Sequence, residues 1–347
     1  PAAPPVAVAV TPPVAPAPAP AAALPPPDPK KFLFAAKLPN FSRKAYHAAV
    51  ADLMDAFERK TRRALKPGLR QKVGLKIYTA SGPGIATPKH VVRAVVAALE
   101  QRGFLRENIY LVDLQEKTLR ECGYLAPLRA GASAWGTETF EGCPVLPLDA
   151  DGGTHYSSRH FYENPLPSKE IFVRQGDFAA ATNTDDRRSY IPALLYYQMD
   201  FWLNLPVALD SAALGVCGAL GNATIWSISN QRRFLDNAEN AQKAAVEIAA
   251  APEFQSTLAF NLISLERYQY VGGPLFDSNY CLSEKRLWLS ANPMILDHLL
   301  WQRINFAREK RGFPKLEPEP RMFISGNTPP TQLGSCRPAE LEFIRVN

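Results

Sequence analysis

Residues 72–114 constrain the fold more tightly than any other part of the chain. Val73-Gly-Leu-Lys-Ile-Tyr78 reads as a strand, residues 79–86 as a Gly/Pro-rich loop, and Thr87-Pro88 as an N-cap followed by the first helical position. Val91, Val92, Val95, Val96 and Leu99 then form an apolar stripe at helical spacing, Gly103 stops it, and residues 108–114 return to a strand. A strand, a helix and a strand in that order predict two parallel strands joined by a right-handed crossover. The expected fold class is α/β: a mostly parallel open sheet flanked by helices.

The rest of the chain alternates in the same manner. Ser42 predicts the N-cap of a first helix, stopped at Pro67-Gly68. Its far end is strongly basic, with Arg59, Lys60, Arg62, Arg63, Lys66, Arg70 and Lys72, which reads as a solvated face or as a docking patch for an acidic partner. Strands are expected near residues 171–174 and 201–205, and helices near 240–250 and 254–266. Late in the chain, Leu287-Trp-Leu289 precedes Ser290-Ala-Asn-Pro293 and an apolar helix carrying Ile295, Leu299 and Ile304. Tyr196, Tyr197, Phe201 and Trp202 form an aromatic cluster suited to a core, with an interface patch as the alternative.

The N-terminal end differs sharply in composition. Of 32 prolines, 11 fall in the first 27 residues, with 10 alanines and no ionisable side chain before Asp28. Proline fixes φ and removes a donor, so residues 1–28 are expected to be an extended Pro/Ala-rich tether lying along a partner or along the body of residues 29–347, which form the α/β domain. The chain opens without Met, which fits an exported product after signal-peptide removal or a trimmed chain.

The most apolar internal stretch, residues 203–221, carries Asn204, Pro206 and Asp210, so no transmembrane segment is expected. A net charge of +6 permits an acidic partner without calling for nucleic acid. Five cysteines without a CxxC supply neither a zinc ribbon nor an iron–sulfur ligand run, and leave room for two disulfides and one thiol.

In parallel sheets ligands collect outside the carboxyl ends of the strands, which points to the loop of residues 79–87, with Ser81, Gly82 and Thr87. Lys76 stands near such an end inside an apolar strand. Its stem can be buried with the amine reaching solvent, or the amine can meet an anion in a cleft. Gly82-Pro-Gly84-Ile-Ala-Thr87 lacks the third glycine of a dinucleotide fingerprint, so no such cofactor is expected. His155 and His160 have metal-ligand chemistry without zinc or calcium spacing, and His90 and His298 read as ordinary helical histidines; no metal is expected.

Val73-Gly-Leu-Lys-Ile, Gly82-Pro-Gly-Ile-Ala-Thr-Pro, Asn108-Ile, Asp113 and Cys122-Gly-Tyr124 together resemble the opening of the domain of unknown function 362 family. Leu203-Asn-Leu-Pro206, residues 215–222, Gly272-Gly-Pro274 and residues 290–297 continue the resemblance in the family's order, over roughly residues 45–315. The resemblance implies an α/β domain and, commonly, export by the twin-arginine route. Lys76, Asn204, Asn222 and Asp297 are retained, whereas Leu209, Ser211, Gly221 and Ser264 stand where the family usually has polar or charged groups. Local roles for the retained residues are turn and cap chemistry for the asparagines and favourable dipole placement for Asp297.

The expected function is that of an exported, non-catalytic accessory or scaffolding subunit, periplasmic or associated with a membrane surface, which binds a protein partner through its N-terminal segment. The alternative is an enzyme acting on a small anionic substrate in a strand-end cleft around Lys76, with Thr87, Asn204, Asn222 and Asp297 converging on it.

Overall fold

The computed structural model describes residues 25–128, 137–149, 155–163, 173–175 and 188–346. The tether expected at residues 1–28 lies outside these as far as residue 24. In chain order the elements begin with β1 (Phe32–Lys37), α1 (Arg43–Thr61), β2 (Val73–Lys76), α2 (Lys89–Glu100), β3 (Ile109–Asp113), α3 (Glu116–Glu121), β4 (Thr139–Phe140) and β5 (Cys143–Pro147). They continue through β6 (Tyr156–Glu163), β7 (Val173–Gln175), β8 (Arg188–Pro192), α4 (Ala193–Tyr197), β9 (Phe201–Asn204), β10 (Ala208–Ser211), β11 (Gly215–Cys217) and α5 (Ala219–Ala223). The last are α6 (Arg232–Leu235), α7 (Ala238–Ala249), α8 (Pro252–Thr257), β12 (Leu258–Ser264), β13 (Tyr268–Gln269), β14 (Cys281–Leu282), β15 (Arg286–Ser290), α9 (Pro293–Lys310), α10 (Met322–Ser325) and β16 (Glu342–Val346).

Nine strands form one sheet in the order β16-β1-β15-β12-β9-β2-β3-β5-β4. The central run β12-β9-β2-β3-β5 is parallel throughout, β16 is parallel to β1, and only β15 and β4 run against their neighbours. The expected α/β class, with its mostly parallel sheet and flanking helices, is what the chain adopts. From β2 the chain winds outward through β3 to β5, then returns to β2's other side with β9 and β12, so the topological switch lies between β2 and β9.

Alternation along the strands builds a core on each face. Val73 and Leu75 pack with Leu111, Leu203 and Phe260 against α1 and α2, while Val112, Trp202 and Ile263 join α5, α7 and α9 on the other side. The aromatic cluster divides: Tyr196 stacks on Trp202 at 6.1 Å in one core, with Phe254 edge-on to both, Phe201 joins the core on the other face, and Tyr197 is partly buried. Among the described residues no helix is long and apolar enough to cross a membrane.

Several sequence expectations are corrected. The stretch expected to be one helix over residues 254–266 ends as a helix at Thr257 and continues as β12, all seven of whose residues are buried. A strand buried on both faces shows an unbroken apolar run, without the alternation that would distinguish it from a buried helix. Helix α1 has Ser42 as its cap, as expected, but stops at Thr61, where Arg62 turns left-handed at φ 57°, before Pro67 is reached. Thr87 does not cap α2. The cap position is Pro88 and the Thr87 hydroxyl is engaged elsewhere. The basic run does not form one patch: Lys60 pairs with Glu342 at 2.5 Å, Arg63 donates to Leu258 O, Arg70 to Tyr197 O, and Lys72 lies over the Tyr110 ring.

Candidate functional site

Four polar residues lie side by side across the middle of the sheet. Strand register places Lys76 beside Asn204, Asn204 beside Asn261, and Asn261 beside Ser290. On β2, Val73 and Leu75 point to the α1/α2 side, so Lys76 points to the opposite face, where α5 lies. There its ammonium meets three acceptors: Ile77 O at 2.6 Å, Asp113 Oδ1 at 2.6 Å and Asn222 Oδ1 at 2.8 Å. An ammonium has three protons, so all its donors are matched.

The network continues in both directions. Asp113 accepts from the Thr79 hydroxyl at 2.6 Å, and Thr79 contacts Thr118 at 2.8 Å. Asn222 donates to Asn204, Asn204 to Asn261 and Ala219 O, and Asn261 to Ser290 O. Lys76, Asn204, Asn222 and Asn261 are each 0% exposed. Burial pulls the Lys76 ammonium below its ordinary pKa, with Asp113 opposing that shift. The structure therefore brings three of the expected site residues together, in a sealed interior.

Asp297 has a different task. It is buried, and its carboxylate accepts from Ala219 N at 2.5 Å and Leu220 N at 3.0 Å, capping α5. A Cβ at Gly218 would lie 2.2 Å from Asp297 Oδ1, so only glycine allows this approach. Burial raises the Asp297 carboxyl to about 7, opposed by its two backbone donors.

The opening lies one layer further out, at the loop the sequence singled out. A cleft of about 340 Å³ is lined by residues 83–90, Cys122, Tyr124, Val207, Ser264, Glu266 and Arg267. These belong to the loop after β2 with the start of α2, the segment after β9, the end of β12 with the residues that follow it, and the turn after α3, at the switch point of the sheet. Of the expected ligand-binding residues only Thr87 lines it. Its hydroxyl accepts from Tyr78 N at 2.8 Å and donates to Leu205 O at 2.6 Å, stapling the β2 loop to the one after β9. Ser81 contacts the Tyr78 hydroxyl, and Gly82, with φ +78°, makes the turn that Gly82 N closes on Thr79 O.

Cys122 is not activated, because burial raises its thiol to about 12. All five cysteines are unpaired thiols, which sets aside the two-disulfide arrangement. Ser264 contacts the Tyr46 hydroxyl at 3.0 Å, and that hydroxyl donates to Glu266 at 2.7 Å. His90 stacks on Tyr46, with ring centroids 6.1 Å apart. His298 faces Glu319 at 3.2 Å, and His160 faces Ser157 at 3.1 Å; among the described residues no three potential metal ligands cluster. Lys89 and Arg267 of the cleft wall, Asn261 of the buried row and Thr79 of the network around Asp113 were not anticipated as site residues. The signal for the row was the recurrence of a polar side chain within otherwise apolar strands, hidden at Asn261 because its strand reads as a helix.

No protein-family model matches the chain, and no curated protein matches it. A solved structure of a Thermotoga maritima protein from the Northeast Structural Genomics Consortium aligns at 12% identity over 64% of this chain and 50% of that one, with a TM-score of 0.36. The chain thus spans about half the length of that protein.

Proposed function

We propose that this protein is an exported, non-catalytic accessory subunit, of the kind suggested by its resemblance to the domain of unknown function 362 family, and that it joins a protein partner through its Pro/Ala-rich N-terminal segment. One observation carries the non-catalytic part: the Lys76 ammonium, the strongest candidate electrophile or anion clamp, has all three protons committed to internal acceptors and no solvent exposure. A group in that state has no donor left for a substrate. The buried thiols of Cys122, Cys143, Cys217 and Cys336, each raised to about 12, are compatible with an oxidising compartment outside the cytoplasm, since they supply almost no thiolate.

The test compares the full chain with one lacking residues 1–27, each produced in its source cell and sized on native gels of the extracytoplasmic fraction. The full chain is expected in a complex larger than itself, and the shortened chain is expected free. Both chains running alone, or both in the same complex, would refute the proposal. An enzyme for a small anionic substrate, the second reading, draws its support from the open cleft and would announce itself as turnover abolished by Lys89→Met.

A further inference from the structure

We infer that the cleft at the start of α2 is a binding site for a small organic monoanion, a carboxylate with an apolar body. The inference rests on the cleft and is independent of the accessory role. Two cations reach it from separate elements: Lys89, the first residue of α2, and Arg267, on the connection from β12 to β13. Among the described residues neither has a carboxylate partner. Lys89 lies over the Tyr124 ring at 5.9 Å; Arg267 donates one N–H to Gly84 O at 2.5 Å and lies over Phe276 at 5.8 Å. Arg267 is thus anchored while most of its donors stay free for an anion.

The helix end adds to this field. Pro88 provides no side-chain cap, and among the described residues the Lys89 and His90 backbone N–H groups have no acceptor, since the first amides to be bonded are those of Val91 and Val92, to Pro88 O. His90 supplies a further unmet group: its Nδ1 is shielded from solvent with no hydrogen-bond partner. One carboxylate meeting Lys89, Arg267 and the amides would satisfy several of these together. Ile85, Val207 and Tyr124 offer apolar wall to the rest of the ligand. Glu266 supplies a negative charge that disfavours a polyanion. The volume, near the lower end of the range for small-molecule sites, suits a ligand of single-ring size.

The experiment is isothermal titration of the full chain with benzoate and, separately, with inorganic phosphate at constant ionic strength. Benzoate is expected to bind saturably and more tightly than phosphate. Lys89→Met and Arg267→Gln should each weaken it about tenfold or more, the loss expected for one charge-assisted hydrogen bond. Lys60→Met, removing a cation paired with Glu342 at the opposite end of α1 from Tyr46, should leave binding unchanged. Because the Lys89 side chain makes no internal hydrogen bond in the structure, its variant remains informative even if Arg267→Gln unfolds. Absence of saturable benzoate binding, preference for phosphate, or equal affinity in Lys89→Met and Lys60→Met would overturn the assignment. Loss of a partner complex on deleting residues 1–27 would leave these results unaltered.

Discussion

Lys76 shows how a charge is kept inside an apolar sheet. Its pair with Asp113 at 2.6 Å is fully enclosed, and the desolvation of both groups offsets much of their attraction, so the pair specifies the arrangement of β2, β3 and α5 more than it adds net stability. Removing one member is far worse than removing both, because the buried carboxylate, left with the Thr79 hydroxyl, has lost water without gaining a compensating charge. Lys76→Met is expected to cost about 3–5 kcal/mol in urea unfolding, with the double variant Lys76→Met/Asp113→Asn recovering at least half of that. A single-variant loss below about 1 kcal/mol would show that water reaches Asp113 after all.

At the scale of elements, α5 depends on a residue far away in sequence. Asp297, one turn into α9, holds the opening amides of α5, and its carboxyl is raised from its ordinary 3.8 to about 7 because burial penalises the charge more than the two N–H groups reward it. The folded state therefore binds this proton more tightly than the unfolded chain does. Its contribution to stability is complete below the ordinary carboxyl pKa and is lost as pH rises through about 7. Unfolding free energy measured from about pH 5 to about pH 8 should fall with this group's titration by a few kcal/mol at most, and Asp297→Asn should flatten the fall. Identical pH slopes for the two proteins would remove Asp297 as the cause.

The sequence exposed some of this and concealed the rest for identifiable reasons. The β2–α2–β3 unit was legible because its stripe, loop and glycine stop agree, and α9 because Asn292 and Pro293 form its cap and first turn. Lys76, Asn204 and Asn222 were legible as a group, but burial was not, since no local pattern reports which acceptors a distant helix will bring. β12 was misread because full burial removes alternation, and with it went Asn261. The cleft lies at the loop the sequence singled out, not around Lys76, and Arg267 comes from across the switch point, where only the sheet order brings it near Lys89.

For the molecule as a whole, the most consequential unforeseen feature is the pairing of its two ends. β16, near the C-terminus, lies parallel to β1, near the start of the described chain, with Phe32 through Ala36 in register with Glu342 through Val346. Ile344 and Val346 close the core beneath α1, and Lys60 of α1 reaches Glu342. β16 is thus the sheet's outermost strand, short and carrying Glu342 and Arg345, while the strand it covers reads Phe-Leu-Phe-Ala-Ala-Lys. Short charged edges resist pairing with other chains, whereas a bare apolar edge is a template for it. Truncation after Arg337 should therefore do more than remove stabilising contacts: it should expose β1 and turn a folded chain into one that self-associates. The expected outcome is a lower melting temperature with concentration-dependent higher-mass species by light scattering, and reversal of the scattering, without full recovery of the melting temperature, when the partly exposed Ala35 of β1 is replaced by Lys. A truncated chain that melts like the full one and stays the same size at every concentration would show that β1 needs no cover.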